Sequence, residues 1–143
     1  MSASNVFETS ILELIFNATT FDSIADNAGT TPATNLYVSL HTADPGEAGD
    51  QTTNETTYTS YARVAVARNS GGWTVSGNEA SNTAQINFPE CTGGTSTVTH
   101  FGIGLDATGT GTLLFSDELT ANLAVSNGIT PAFNAGSLDV TAD

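Results

Sequence analysis

The stretch of sequence that decides the fold is LYVSLHTADPGEAGDQTTNETTYTSYARVAVARNSGGWTVSGN, residues 36–78. Apolar and polar residues alternate in LYVSLH, in ARVAVA and in WTV, as they do in strands that bury one face. A long acidic loop lies between the first two of these runs, and a Ser-Gly-Gly turn precedes the third. This order predicts three strands that are joined by one long loop and one tight turn.

The same period-two pattern continues to the end of the chain. Turn-forming residues separate the apolar runs at intervals of roughly ten residues, which is typical of an antiparallel β-sandwich or barrel and not of βαβ units. The sequence therefore predicts a mainly β fold of about eight or nine short strands. The apolar residues of the later runs are Ala84, Ile86 and Phe88; Phe101, Ile103 and Leu105; Leu113 and Phe115; Leu123 and Val125; Ile129, Ala132 and Phe133; and Leu138 and Val140.

Residues 4–17, SNVFETSILELIFN, predict one N-terminal amphipathic α-helix. Asn5 followed by Glu8 fits a capping box, and residues 21–25 are expected to add a short turn. The helix is expected to bury one face on its own sheet and the other either on a neighbouring subunit or deep in its own domain. Its apolar residues are Phe7, Ile11, Leu12, Leu14, Ile15 and Phe16.

Length and composition predict a single globular domain over residues 1–143, with a helical N-terminal segment at 1–28 and a β body at 35–143. Hydrophobic residues make up 38% of the chain, which is enough for a packed core. No apolar run approaches about 18 residues, so no membrane span is expected. The first apolar residues follow no basic segment, so no secretory signal is expected, and the chain is expected to be made and assembled inside a cell.

Charge is the most extreme property of the chain. Fifteen Asp and Glu residues face two Arg residues and no Lys, which gives a formal net charge of −13. Such a surface repels phosphate and cannot supply the cationic contacts from which nucleic-acid affinity arises. Nucleic acid is therefore excluded as a partner.

The block LYVSLHTADPGEAGDQTTNE, followed by YARVAVAR and GGWTVSGN, resembles a family of small tailed-bacteriophage virion structural proteins of head-decoration or tail-fibre-like type. The resemblance implies a component of the phage particle, assembled in the host cytoplasm. Because no active site can be assembled from the sequence, we expect a structural protein and not an enzyme. The leading hypothesis is a capsid decoration or cement protein that stabilises the outside of the head shell, bound to the major capsid protein or to other virion proteins. The alternative is a tail- or fibre-associated structural or receptor-binding module. A homo-oligomer, such as a trimer, is expected in either role.

The candidate interface residues come from the helix, from the acidic loop at residues 43–58 and from the two cations. Loops of this length often carry function, and an Arg on an acidic surface is expected to pair with a carboxylate of its own chain or of the next subunit. The loop carboxylates have irregular spacing and do not match a calcium loop, so no metal is predicted. Besides the helix residues given above, the candidates are Asp44, Glu47, Asp50, Arg63 and Arg68.

No arrangement in the sequence predicts catalysis or a cofactor. His41 and His100 are expected on the polar face of strands, where the resemblance implies that His41 has a structural hydrogen-bonding role. Cys91 has no metal-ligand spacing and no basic neighbour, so we expect it to be a buried structural residue. The glycines of FGIGLDATGTG precede a strand and not a helix, so they indicate tight turns or close sheet contacts and not a phosphate site. The Tyr residues and Trp73 are expected in packing, with a sugar-stacking platform as the alternative.

Overall fold

The computed structural model describes residues 3–26, 28–29 and 31–142. Within them, the prediction of a mainly β chain with eight or nine short strands in antiparallel sheets and one N-terminal helix is confirmed. No helix in this part of the chain has both the length and the apolarity that a bilayer crossing requires. The elements are α1 Asn5–Asn17, β1 Asn35–His41, β2 Val64–Ala67, β3 Trp73–Ser76, β4 Glu79–Asn82, β5 Ile86–Asn87, β6 Thr95–Gly104, β7 Leu113–Ser126, β8 Ala132–Phe133 and β9 Asp139–Thr141.

The strands form three sheets, with the orders β2-β1-β6-β7, β3-β4-β9 and β5-β8. Contacts within the chain divide it into two compact units. The first unit comprises Met1–Asn35, Val66–Ile86 and Phe133–Asp143, and the second comprises Leu36–Ala65 and Asn87–Ala132. The single-domain boundary of 1–143 stays a prediction, and residues 1, 2 and 27 of the predicted segment 1–28, with residue 143, lie outside the described residues.

In the first unit, α1 begins one residue earlier than the predicted capping box places it. Ser4 is the N-cap, and its Oγ accepts a hydrogen bond from the backbone N–H of Phe7 at 3.4 Å. The prediction that Asn5 caps the helix is therefore wrong, because Asn5 already lies in the first turn. The last helical residue is Asn17, and Ala18 is the C-cap. Ala18 has a left-handed backbone, with φ at 54°, and its N–H donates to the carbonyl of Glu13.

The buried face of α1 packs on β3. Phe16 is fully buried, and its ring lies 4.9 Å from that of Trp73, centroid to centroid. Leu12 is only 2% exposed. These two side chains lie in the core of their own unit, so the apolar surface of the helix that stays open to solvent is narrower than the sequence pattern implies.

Strand β4 is absent from the sequence-based prediction, which places the next strand at Ala84. The structure forms a two-residue hairpin instead, in which Ser76 pairs with Glu79 across the turn. Gly77 supplies the positive φ of 62° that this turn requires. The signal was present in the sequence, because Gly-Asn between two short alternating runs is a hairpin pattern.

In the second unit, β6 pairs antiparallel with β1 on one side and with β7 on the other. The runs around Leu113 and Leu123, predicted as two strands, belong to the single strand β7. Val98 pairs with Leu123 and His100 with Glu118, so four residues of β7 face one residue of β6. This wide bulge explains why the period-two pattern breaks in the middle of β7.

The predicted polar face of β1 is buried. Ser39 and His41 are both 0% exposed, although the alternation of LYVSLH predicts that they lie on the solvated side. The reason is that the acidic loop folds back over this end of the strand, with Glu55 bridged to His41 and the N–H of Thr56 donating to the carbonyl of Leu40 at 2.9 Å. A loop packed on a sheet face changes the burial of that face without changing the strand pattern.

Candidate interaction surfaces

The acidic loop, residues 43–58, is held to its unit by an ion pair. Arg63 donates from Nε to Glu55 Oε1 at 2.7 Å and from Nη2 to Glu55 Oε2 at 2.8 Å. The same guanidinium donates to the carbonyls of Asp106 at 3.0 Å and of Gly109 at 2.7 Å. The carboxylate that the sequence predicts for Arg63 therefore lies in the same chain, and this cation joins the acidic loop to the turn between β6 and β7.

Tyr61 adds a second contact to the Glu55 carboxylate. Its hydroxyl donates to Glu55 Oε1 at 2.8 Å and accepts from the backbone N–H of Leu40 at 3.1 Å. Burial raises the pKa of Tyr61, so the phenol stays neutral and keeps donating. The ring of Tyr61 also contacts those of Tyr58, at 5.3 Å, and Phe88, at 6.3 Å, both between centroids. Burial raises the pKa of Tyr58 to about 12.

These rings and Trp73 pack within the chain. Tyr58 is 4% exposed and Trp73 is 0% exposed. A sugar-stacking platform needs open ring faces, and these two rings do not provide them. The packing interpretation is the one that the structure supports.

His41 joins β1 to the acidic loop. Its Nδ1 lies 2.8 Å from the carbonyl oxygen of Thr53, and its Nε2 lies 2.8 Å from Ser39 Oγ. A carbonyl only accepts, so Nδ1 carries the proton and Nε2 accepts from the Ser39 hydroxyl. Burial lowers the pKa of His41, which favours this neutral ring. Both nitrogens are occupied by the chain's own groups, in agreement with the structural role that the resemblance implies.

Gln51 fastens the middle of the acidic loop. It is fully buried, its N–H donates to the carbonyl of Thr110 at 3.1 Å, and its Oε1 accepts from the N–H of Asp106 at 2.9 Å. A Cβ added at Gly104 would lie 2.3 Å from Gln51 Cδ, and one added at Gly111 would lie 2.3 Å from Gln51 Oε1. The glycines of FGIGLDATGTG thus provide room for this side chain, which is the close contact that the sequence indicates and not a phosphate cradle.

The three candidate carboxylates of the loop have different roles. Asp50 Oδ1 accepts from the N–H and the hydroxyl of Thr52, at 2.8 and 2.6 Å, and these hydrogen bonds lower the pKa of Asp50. Asp44 and Glu47 are exposed, although Asp44 Oδ1 accepts from the N–H of Gly46 at 2.8 Å. Among the described residues, no group of three or more His, Cys, Asp or Glu side chains is placed to hold a metal ion.

A groove of about 430 Å³ lies between the acidic loop and the first arm of β7. Its loop wall carries the two exposed carboxylates, and its other wall is formed by four consecutive residues of the strand. The lining residues are Asp44, Gly46, Glu47 and Gly49 from the loop, with Leu113, Leu114, Phe115 and Ser116 from β7.

The candidate residues on α1 separate into buried and accessible groups. Leu12 and Phe16 are buried, while Ile11, Leu14 and Ile15 are half-buried. Phe7 is 47% exposed, and its ring meets that of Phe21 edge-on at 5.9 Å.

Two further exposed apolar residues, missed in the sequence, are close to Phe7 or Phe21 along the chain, Val6 directly before Phe7 and Ile24 three residues after Phe21. Val6 is 73% exposed and Ile24 is 71% exposed. Ile24 lies in the turn that follows α1, where its N–H donates to the carbonyl of Phe21 at 3.0 Å. We call Val6, Phe7 and Ile24 the N-terminal apolar surface. Neither Val6 nor Ile24 fits the helical spacing, and for that reason the periodicity did not select them.

Arg68 supplies the cation for the C-terminal end of α1, which has no basic residue in its last turn. Its guanidinium donates to the carbonyls of Leu14 and Ile15, and at 3.2 Å to that of Ala33. A cation at this end stabilises the negative pole of the helix dipole. Arg68 therefore acts within the first unit, as Arg63 does within the second.

The remaining reactive side chains also have internal partners. Cys91 is fully buried, as predicted, and its Sγ donates to the carbonyl of Gly93 at 3.3 Å. His100 is half-buried, with Nδ1 2.8 Å from Thr99 Oγ1.

Comparison with known proteins gives one family. The sequence model of a family described as podophage GP4 fiber I protein gp80 matches residues 2–141, which is nearly the whole chain. No curated protein matches the chain. The match confirms the coarser part of the resemblance, a structural family of the phage virion, and supports a non-enzymatic protein located in the phage particle with other virion proteins. That the block LYVSLHTADPGEAGDQTTNE, with YARVAVAR and GGWTVSGN, is characteristic of this family stays a prediction.

Proposed function

Because the chain belongs to the podophage GP4 fiber I protein family, we propose that it is an accessory structural protein of the phage fibre. In this proposal the N-terminal apolar surface attaches the chain to a larger fibre protein, and the acidic β body remains in solvent. The observation that carries the proposal is the exposure of Val6, Phe7 and Ile24 on a chain of net charge −13.

Exposed apolar side chains that lie together indicate a contact surface, whereas single ones are ordinary. Phe7 contacts Phe21, and the turn that contains Phe21 also carries Ile24. The other large exposed apolar residues are in the second unit and have only 37–39% of their surface open, namely Leu105, Leu114 and Ile129. The N-terminal apolar surface is therefore the most exposed apolar feature of the described residues.

The charge of the chain favours a different protein as the partner. A second copy would bring another 13 negative charges close to the first set, whereas an unlike protein need not be acidic. We therefore propose an unlike partner in the particle, and the predicted homo-oligomer becomes one outcome of the test.

The test is incorporation of the variant Val6→Thr/Ile24→Thr into phage particles. Replacing the two side chains should weaken the contact by about 1–3 kcal/mol, which is roughly a 5- to 150-fold loss of affinity. The matched control is Ile129→Thr, which changes an exposed apolar residue of the other unit. Full incorporation of the double variant with unchanged melting temperature would refute the proposal. Loss of a concentration-dependent oligomer in the double variant would instead identify a second copy as the partner.

A comparison of reconstructions of the phage particle with and without this protein distinguishes a position on the fibre from a position on the head shell. Particles with and without this protein should differ at the fibre if the proposal is right, and the protein should be present in few copies. Density spread over the head, with many copies per particle, would favour the decoration role and the major capsid protein as partner.

A further inference from the structure

We propose that the groove between the acidic loop and β7 receives an extended segment of another virion protein that carries Lys or Arg. The segment adds to the sheet as a new strand beside β7. This inference rests on the proposed function only in taking the segment from a protein of the same particle, and it concerns a surface of the second unit that is separate in sequence from the N-terminal apolar surface.

Strand β7 lies at the edge of its sheet. It is the last strand in the order β2-β1-β6-β7, and within the described residues no strand pairs with its other edge. At 14 residues, it is also the longest strand of the chain. The outer edge of a terminal strand is where another chain is able to add a strand, and natural proteins either protect such edges or use them in this way.

The residues that line the groove indicate its course relative to β7. Side chains of a strand alternate between the two faces, so a cavity on one face touches every second residue. This groove is lined by four consecutive residues, Leu113 to Ser116. It therefore follows the edge of the strand, where an added strand would lie.

The bulge in β7 limits the length of the occupant. Only the arm at residues 113–118 lies before the bulge between the Val98–Leu123 and His100–Glu118 pairs. The N–H of Glu118 already donates to Asp117 Oδ1 at 2.7 Å, so residues 113–117 are the part of the arm that a new strand would pair with. Five residues of strand span roughly 17 Å, and the occupant is therefore an extended segment of about five residues.

The carboxylates around the groove favour a positively charged occupant. Asp44 and Glu47 line the groove, and Asp117 and Glu118 continue the arm, all four exposed. A basic segment complements these charges, and an acidic one would be repelled. A second copy of this chain does not fit, because the chain has no Lys and its two Arg side chains already bind groups of their own chain.

The loop wall of the groove is held in place by contacts within the chain. The acidic loop is fastened at three points, through Glu55 to Arg63, through Thr53 to His41 and through Gln51 to Asp106. A wall that is already ordered loses little conformational entropy when a segment binds, which favours binding by a short peptide.

The experiment titrates the full chain with a fluorescein-labelled peptide, Thr-Lys-Val-Lys-Val-Lys-Thr, and follows anisotropy. Its control is the same peptide with N-methyl groups on alternate backbone nitrogens. These groups keep every charge but remove the N–H donors along the edge of the peptide that would pair with β7. We expect saturable binding of the first peptide and at least tenfold weaker binding of the second. Equal binding of both peptides would show general attraction to an acidic protein and would overturn the proposal.

The position of the peptide is tested with two variants of equal charge. Asp44→Asn/Glu47→Gln should weaken binding about three- to tenfold, and Asp44→Asn retains the oxygen that accepts from Gly46. Glu90→Gln/Asp139→Asn removes two exposed carboxylates elsewhere and should leave the affinity unchanged. An equal loss in both variants would exclude the groove. Binding should persist in Val6→Thr/Ile24→Thr, so this inference and the proposed function can fail separately.

Discussion

Removal of the Arg63 side chain, by Arg63→Met, tests whether one ion pair holds the acidic loop in place. Methionine keeps the apolar stem of the side chain and loses four hydrogen bonds, two to the Glu55 carboxylate and two to backbone carbonyls. The two carbonyls belong to Asp106 and Gly109, which are exposed, so water replaces their lost donors. The energetic cost therefore falls on Glu55.

The size of that cost follows from the burial of the pair. The Arg63 and Glu55 side chains are 3% and 14% exposed. Breaking a buried pair by removing one partner costs about 3–5 kcal/mol. Glu55 retains the Tyr61 hydroxyl as a donor and some access to water, so we expect Arg63→Met to lower the free energy of unfolding by about 2–4 kcal/mol.

The double variant Arg63→Met/Glu55→Gln makes the test sharper. Because the cost of the single change comes from an unpaired buried charge, neutralising Glu55 should restore part of the stability, and the double variant should be more stable than Arg63→Met alone. The assay is urea unfolding followed by circular dichroism, with hydrogen exchange measured over residues 43–58. A loss below roughly 0.5 kcal/mol in Arg63→Met, or strictly additive costs in the double variant, would refute this reasoning.

Three further predictions concern the pH response, the close contact at a glycine and the helix core. The folded-state pKa of His41 is lowered, so between that value and about 6.5 the unfolded chain binds more protons, and stability should fall as pH drops through this window. The slope of the unfolding free energy against pH should be flatter in His41→Gln than in the unchanged chain. Equal slopes would show that His41 does not cause the pH dependence. Gly104→Ala should cost about 1–3 kcal/mol in urea unfolding because its Cβ meets atoms at 2.3–2.5 Å, whereas Gly29→Ala, with nothing within 4 Å, should cost nothing. Phe16→Ala should lower the free energy of unfolding by about 3–5 kcal/mol in the same assay, and Phe7→Ala by less than about 1 kcal/mol, because only Phe16 is buried. Similar losses in the two variants would contradict the burial of Phe16 and the exposure of Phe7.

The sequence predicts the strand content well because alternation is a local property. The runs at β1, β3 and β9 lie where the pattern places them. The sequence misses β4 and divides β7 in two because the limits of both strands depend on the strand that lies opposite. β4 is set by the Gly-Asn turn that pairs it with β3, and β7 continues through its bulge because β6 pairs with both arms. Periodicity in one strand carries no information about which strand lies opposite.

The candidate site was predicted less well, for a related reason. The acidic loop has the composition of a solvated excursion, yet Gln51 and Thr56 within it are buried. Burial there depends on groups distant in sequence, such as the Asp106 N–H and the guanidinium of Arg63. The sequence predicts that Arg63 pairs with a carboxylate because cations are scarce and carboxylates are abundant. That the carboxylate is the one of Glu55 depends on how the acidic loop folds.

The scarcity of cations also determines which kinds of contact the chain is able to make with a partner. Each unit uses its single Arg internally, with Arg68 on the last carbonyls of α1 and Arg63 on the acidic loop. The chain has no Lys, and burial lowers the pKa of His41, which favours its neutral ring. Contacts with a partner must therefore be apolar, hydrogen-bonded through the backbone, or made by cations that the partner brings. The N-terminal apolar surface offers the first kind of contact and the β7 groove the other two, and a pair of weak contacts on one chain can together hold it in a particle more tightly than either contact alone.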